Sequence, residues 1–105
     1  MPDLVVYKNR TNRVPVNIGF DISGDTFVSE IRAEKLSTST LIATWDPAFL
    51  TDGVDGILIL TLDNSLVSNV TQKVGYMDIK RIRDGEPYPV FNDPIKVVFK
   101  ENITA

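Results

Sequence analysis

Lys73–Ile82, K-V-G-Y-M-D-I-K-R-I, is the stretch that decides how this chain is read. A small residue steps into an aromatic at Gly75-Tyr76, and Asp78 and Ile79 follow inside an alternating run, the period of a strand. Period two puts Tyr76 and Asp78 on one face. The Arg83-Asp84-Gly85-Glu86-Pro87 segment that follows carries an Asp-Gly step suited to a hairpin, so Tyr88–Phe91 is expected to pair back. After the break at Asn92-Asp93-Pro94, Ile95, Val97 and Phe99 alternate with Lys96, Val98 and Lys100 as a last strand.

Upstream of this strand, Ile57–Asp63 reads I-L-I-L-T-L-D. Apolar on both faces, it suits a central strand covered on each side, or one whose outer face meets a partner. Asn64–Val70 is the one helical candidate, with Leu62, Leu66 and Val70 four apart and Asn64 as a possible cap. Thr40–Asp46 reads as a strand that stops at Asp46-Pro47, a turn-initiating dipeptide, leaving 48–56 as a long connection. Thr26–Ala33 alternates, with Phe27 and Ile31 on one face and Val28, Glu30 and Arg32 on the other. Val14, Val16, Ile18 and Phe20 alternate around Pro15, which confines that run to an edge or bulge. Leu4–Tyr7 is a further edge strand, closed by a polar turn at 8–12, and Asp21–Asp25 reads as another turn.

Seven or eight short strands with turn signals every 8 to 12 residues, and no long helical pattern, predict an antiparallel β-sandwich. The 105 residues fit one domain, 1–105, with its own core. The composition, 43% hydrophobic and 24% charged, is that of an ordinary globular protein. A net charge of -3 has the wrong sign for a surface that attracts phosphates or anionic lipid, so neither nucleic acid nor membrane is an expected partner. With no cysteine and no histidine, disulfides, thiolate chemistry, the commonest general base and the commonest metal ligand are all missing. The start, Met1-Pro2-Asp3-Leu4, has neither a basic n-region nor a long apolar h-region, so the chain is expected to be made and folded inside the cell.

Three segments resemble the immunoglobulin-like domains of phage virion proteins, the modules found in tail-fibre and baseplate components. They are D-I-S-G-D-T-F-V-S-E-I-R (21–32), V-G-Y-M-D-I-K-R-I-R-D-G (74–85) and I-K-V-V-F-K-E-N-I-T (95–104). Together they span most of the chain. Asn92-Asp93-Pro94, where a Gly commonly stands, and the Pro-rich Glu86-Pro87-Tyr88-Pro89 depart from the pattern. The resemblance implies an immunoglobulin-like sandwich and a non-enzymatic structural role in a phage or prophage particle. Such a protein is made in the host cytoplasm, resides in the virion, and contacts copies of itself and other virion proteins.

Within that frame Tyr76 reads as a tyrosine corner, a phenol hydrogen-bonded to upstream backbone, with ligand stacking as the competing reading. Asp78, on the same face, needs a partner if buried, and Arg32 is the candidate. Trp45, the only tryptophan, is a core or rim aromatic. If Leu58, Leu60 and Leu62 fill the sandwich, Ile57 and Ile59 point outward and form a docking face, with the edge strands as further contacts. Asp52-Gly53-Val54-Asp55-Gly56 could offer oxygens to Ca²⁺, but it lacks the alternating ligands and distal Glu of a calcium loop and reads as a turn. Lys80, Arg81 and Arg83 interleave with Asp78, Asp84 and Glu86 as a solvated strand end. No catalytic residue, cofactor site or metal site is nominated. Asn9, Asn69 and Asn102 each start an Asn-x-Thr triplet, expected to be coincidental because no signal peptide is read at Met1-Pro2-Asp3-Leu4. The alternative function is a carbohydrate-binding or adhesin-like module stacking glycans on Trp45, Tyr88 and Phe91.

Overall fold

Alternating side chains place one face of each strand against a common interior, and in the computed structural model, which describes residues 3–91 and 93–101, nine strands and one helical turn result. They are β1 (Leu4–Tyr7), β2 (Asn12–Asn17), β3 (Thr26–Arg32), β4 (Leu41–Thr44), β5 (Asp46–Phe49), β6 (Ile57–Leu62), α1 (Asn64–Val67), β7 (Val74–Arg83), β8 (Glu86–Pro89) and β9 (Ile95–Lys100). The third triplet, 102–104, lies outside the described residues.

One sheet runs β1-β9-β7-β3-β4, with β8 also on β7, and the other runs β2-β6-β5. The first strand lies parallel to the last, and every other pair is antiparallel. This order, with the second, fifth and sixth strands facing the third, seventh and ninth, is that of an immunoglobulin-like sandwich with one extra strand beside the third. The expected all-β sandwich is therefore the observed fold, except that the first and last strands pair in parallel instead of the expected antiparallel pairing.

The decisive strand, β7, is the most heavily paired element, bonded to β3, β9 and β8. Its odd positions, Gly75, Met77 and Ile79, are buried against Phe27 and Ile31 of β3, Val97 and Phe99 of β9, and Leu58, Leu60 and Leu62 of β6. The core is packed closely at Gly75. A Cβ there would lie 2.9 Å from Ile31 Cγ2 and 3.0 Å from Ile42 Cδ1. The β7–β8 hairpin turns on Asp84 (φ 53°) and Gly85 (φ 79°), the two positive φ angles of a type I′ turn.

Two elements differ from expectation. The strand read as Thr40–Asp46 is two strands in different sheets, β4 and β5, and this adds the ninth strand. Asp46-Pro47 begins β5 instead of ending a strand, because the chain crosses between sheets at Trp45. There Trp45 N still donates to Ser29 O (2.9 Å) while the indole is buried between the layers, 1% exposed. The helical turn is capped by Asp63, whose carboxylate accepts from Ser65 N at 3.4 Å, and not by Asn64. It buries Val67 and leaves Leu66 exposed, since one turn lowers a single side chain onto the core.

Replacing Gly75 by Ala should lower stability by about 1–3 kcal/mol through overpacking against Ile31 and Ile42. Urea unfolding should show a lower midpoint with an unchanged slope.

Candidate functional site: a braced loop end and guarded sheet edges

Strand direction sends the loops 18–25 and 50–56 and the 84–85 turn to one end of the sandwich. Backbone hydrogen bonds tie the two longer loops together: Ile18 N donates to Gly56 O and Ile22 N to Gly53 O, both at 2.8 Å. Ile22, expected in a plain turn, is fully buried and pins its loop to the core. Gly56 (φ +74°) is packed so closely that a Cβ would sit 2.5 Å from Phe20 O. The Asp52–Gly56 carboxylates are spent locally. Asp52 accepts from Val54 N, Asp55 accepts from Ile57 N, and Thr51 Oγ1 donates to Asp55 at 3.0 Å. This is the turn that its Asp-Gly pairs predict. Asp21 accepts from Ser23 Oγ at 2.7 Å and from Ser23 N at 2.9 Å. The Ser23 hydroxyl first, then its backbone N–H, hold the Asp21 carboxyl below the ordinary aspartate value.

Asp25 closes this end, and its role was not visible in the sequence. Its side chain is 1% exposed, accepts from Arg83 Nε at 2.9 Å and faces Arg81 Nη1 at 3.8 Å. The Arg81 guanidinium lies between two rings, 4.8 Å from the Phe20 centroid and 5.1 Å from that of Tyr88. The basic cluster is therefore not a uniformly solvated strand end. Arg81 has the inward parity of Met77 and Ile79, so it points into the mouth of the sandwich, where a charge needs a buried counter-charge. Around this brace Phe20, Leu50 and Val54 stand exposed on the loops.

The residues singled out by sequence sit elsewhere. Tyr76 is not a corner: on the outer parity of β7, it faces away from the second sheet, with Lys35 Nζ 5.3 Å from its ring centroid. Asp78 and Arg32 share that outer face but do not pair. Asp78 is exposed and in register with Glu30. Arg32 donates to Glu30 Oε1 at 3.0 Å and to Ser39 O at 2.7 Å, because its same-strand neighbour and the β3–β4 loop are nearer than the carboxylate across the ladder. Trp45 is core, so it cannot serve as a stacking platform; Phe91 is half-buried, and Tyr88 already covers Arg81.

Ile57 and Ile59 do not form an open face either. Ile59 is only 7% exposed, flanked by Pro15 and Ala48 on the neighbouring strands, and Ile57 is half-buried. A strand in the middle of a three-stranded sheet is shielded from both sides even without a third layer.

The free edges of β1, β2, β5 and β8 are guarded. Ile18 N to Gly56 O turns the even residues of β2 toward β6, Leu50 N to Ile57 O does so for β5, and Val90 N to Ile79 O turns those of β8 toward β7. By that parity Pro15, Pro47, Pro87 and Pro89 direct their nitrogens outward, where each removes a donor that an incoming strand would need. On β1, Tyr7 N and Tyr7 O are both held at 2.9 Å by the Asn12 side chain, which stands in for a neighbouring strand.

No protein-family model matches the chain, and the search of curated proteins found no match.

Asp25→Ala should cost about 1–3 kcal/mol, less than for a fully enclosed pair because Arg83 is nearly half exposed. Asp25→Ala and Arg83→Ala should be non-additive in a double-mutant cycle of thermal unfolding, with strict additivity as the contrary result.

Proposed function

We propose that the chain is a non-enzymatic structural module of a phage or prophage particle, associated with the tail, fibre or baseplate, that acts through protein–protein contacts. The observation that carries this reading is the braced loop end. Three large apolar side chains, Phe20, Leu50 and Val54, are displayed on loops pinned to each other, to the buried Ile22 and to the Asp25–Arg81–Arg83 closure. Apolar groups held on a rigid support lose little freedom on docking, which favours a preformed protein contact. The carboxylates of Asp21, Asp25, Asp52 and Asp55 at this end support the same reading, since they are engaged with Ser23, Arg83, Val54 N and Ile57 N. The three segments that resemble virion immunoglobulin-like domains supply the setting, with the virion as the location and other virion proteins and copies of itself as partners. A glycan-binding role draws less support because Trp45 lies in the core.

Mass spectrometry of particles purified from the phage or lysogen that encodes the chain should detect it among the virion proteins; its absence would overturn the reading. Leu50→Ser/Val54→Ser should reduce its recovery in particles severalfold while leaving its melting temperature within about 2 °C, since neither side chain is in the core.

A further inference from the structure

Among the described residues, the outer edge of β4 is the one left without a guard. Trp45 N bonds to Ser29 O and Ala33 N to Thr40 O, so positions 40, 43 and 45 face β3 while Leu41 and Thr44 turn their N–H and C=O groups away from it. No proline stands on this edge, and no side-chain amide caps it. The bulge at Ile42, where the register shifts between Ile31 and Arg32, shortens the edge without closing it.

The residues from Leu36 to Trp45, L-S-T-S-T-L-I-A-T-W, contain no charge, no proline and no glycine, the composition that lends itself to strand pairing. Leu36 and Leu41 are 61% and 46% exposed along it.

We infer that β4 is a self-pairing edge: a second copy of this chain adds its own β4 antiparallel to the first, joining two large sheets across a two-fold axis. Three observations select that occupant. In a copy of this chain the edges of β2, β5 and β8 are interrupted by proline and that of β1 is held at Tyr7 by Asn12, so β4 is the least interrupted edge a copy has to offer. Antiparallel pairing of one edge with itself is isologous and closes as a dimer, with no open end left to propagate. A chain of net charge -3 repels its copies, and this neutral window is where two of them meet without placing like charges across a ladder.

The inference names the self-contact within the assembly role proposed above and rests on that reading. Dimerisation of the purified chain is measured apart from particle incorporation, so either can fail alone.

Sedimentation or light scattering on the purified chain should give a concentration-dependent monomer–dimer equilibrium. Thr44→Pro removes an outward donor while sparing the β3 ladder, and should shift the midpoint at least tenfold to higher concentration. Should that variant misfold, Leu41→Lys puts a charge on the same edge and should have the same effect. Amide exchange on the unmodified chain should slow at Leu41 and Thr44 as concentration rises, and not at the β2 or β8 edges. A monomer throughout the range to about 1 mM would overturn the inference. So would a dimer that survives either folded variant, or protection confined to another edge or to the 50–56 loop.

Discussion

The burial of one indole sets the plan of this molecule. Trp45 is the residue at which the chain leaves one sheet for the other, keeping its backbone bond to Ser29 while its ring fills the space between the layers. Its Nε1 is buried with no acceptor among the described residues, so the contribution is packing and not hydrogen bonding. Because the crossing happens there, β4 stops at Thr44 and β5 starts at Asp46. Two short edge strands are produced where one longer strand would have extended the large sheet. The small sheet gains a third strand, and that strand shields Ile59 from one side.

That division explains why the fold was legible and the crossing was not. The period-two runs of β3, β7 and β9 announce themselves because each is long enough to alternate several times against a buried layer, and β6 does so as a continuous apolar run. Leu41–Phe49 alternates too, but nothing local says that the layer changes halfway, and Asp46-Pro47 carries a turn signal that the tertiary structure overrides. Pro15 was readable as an edge marker because no other place in a sheet tolerates it. Pro47 was not, since it looked like the end of a strand.

The site was less legible for the same reason. Asp25 and Arg83 are 58 residues apart and become neighbours only because β3 and β7 are adjacent, with Thr26 opposite Ile82. The sequence showed a cluster of bases and a nearer set of acids, and local pairing was the simplest reading. Parity decides otherwise. Arg81 falls on the inward face at the last turn of alternation before the hairpin, where the two sheets part, and a loop carboxylate is the counter-charge within reach. Parity alone does not pair Arg32 with Asp78: they share a face on adjacent strands, yet Glu30 and the Ser39 carbonyl take the guanidinium.

This small sandwich treats its exposed backbone strand by strand. Nine strands in two open sheets leave edges that would pair indiscriminately if all were flat and unguarded. Four of the six prolines sit in strands, and since a proline must turn its nitrogen from the neighbour it pairs with, each one deletes an outward donor. An edge interrupted this way is a poor template for an added strand, which disfavours backbone pairing at β2, β5 and β8. The loop end, braced by hydrogen bonds and displaying Phe20, Leu50 and Val54, suits side-chain contacts, whereas β4 retains outward backbone groups at Leu41 and Thr44. A module with one backbone-mediated edge and one side-chain-mediated end has two chemically distinct ways to associate. The two contacts proposed above lie on different surfaces, β4 at a sheet edge and Phe20, Leu50 and Val54 on the loop end.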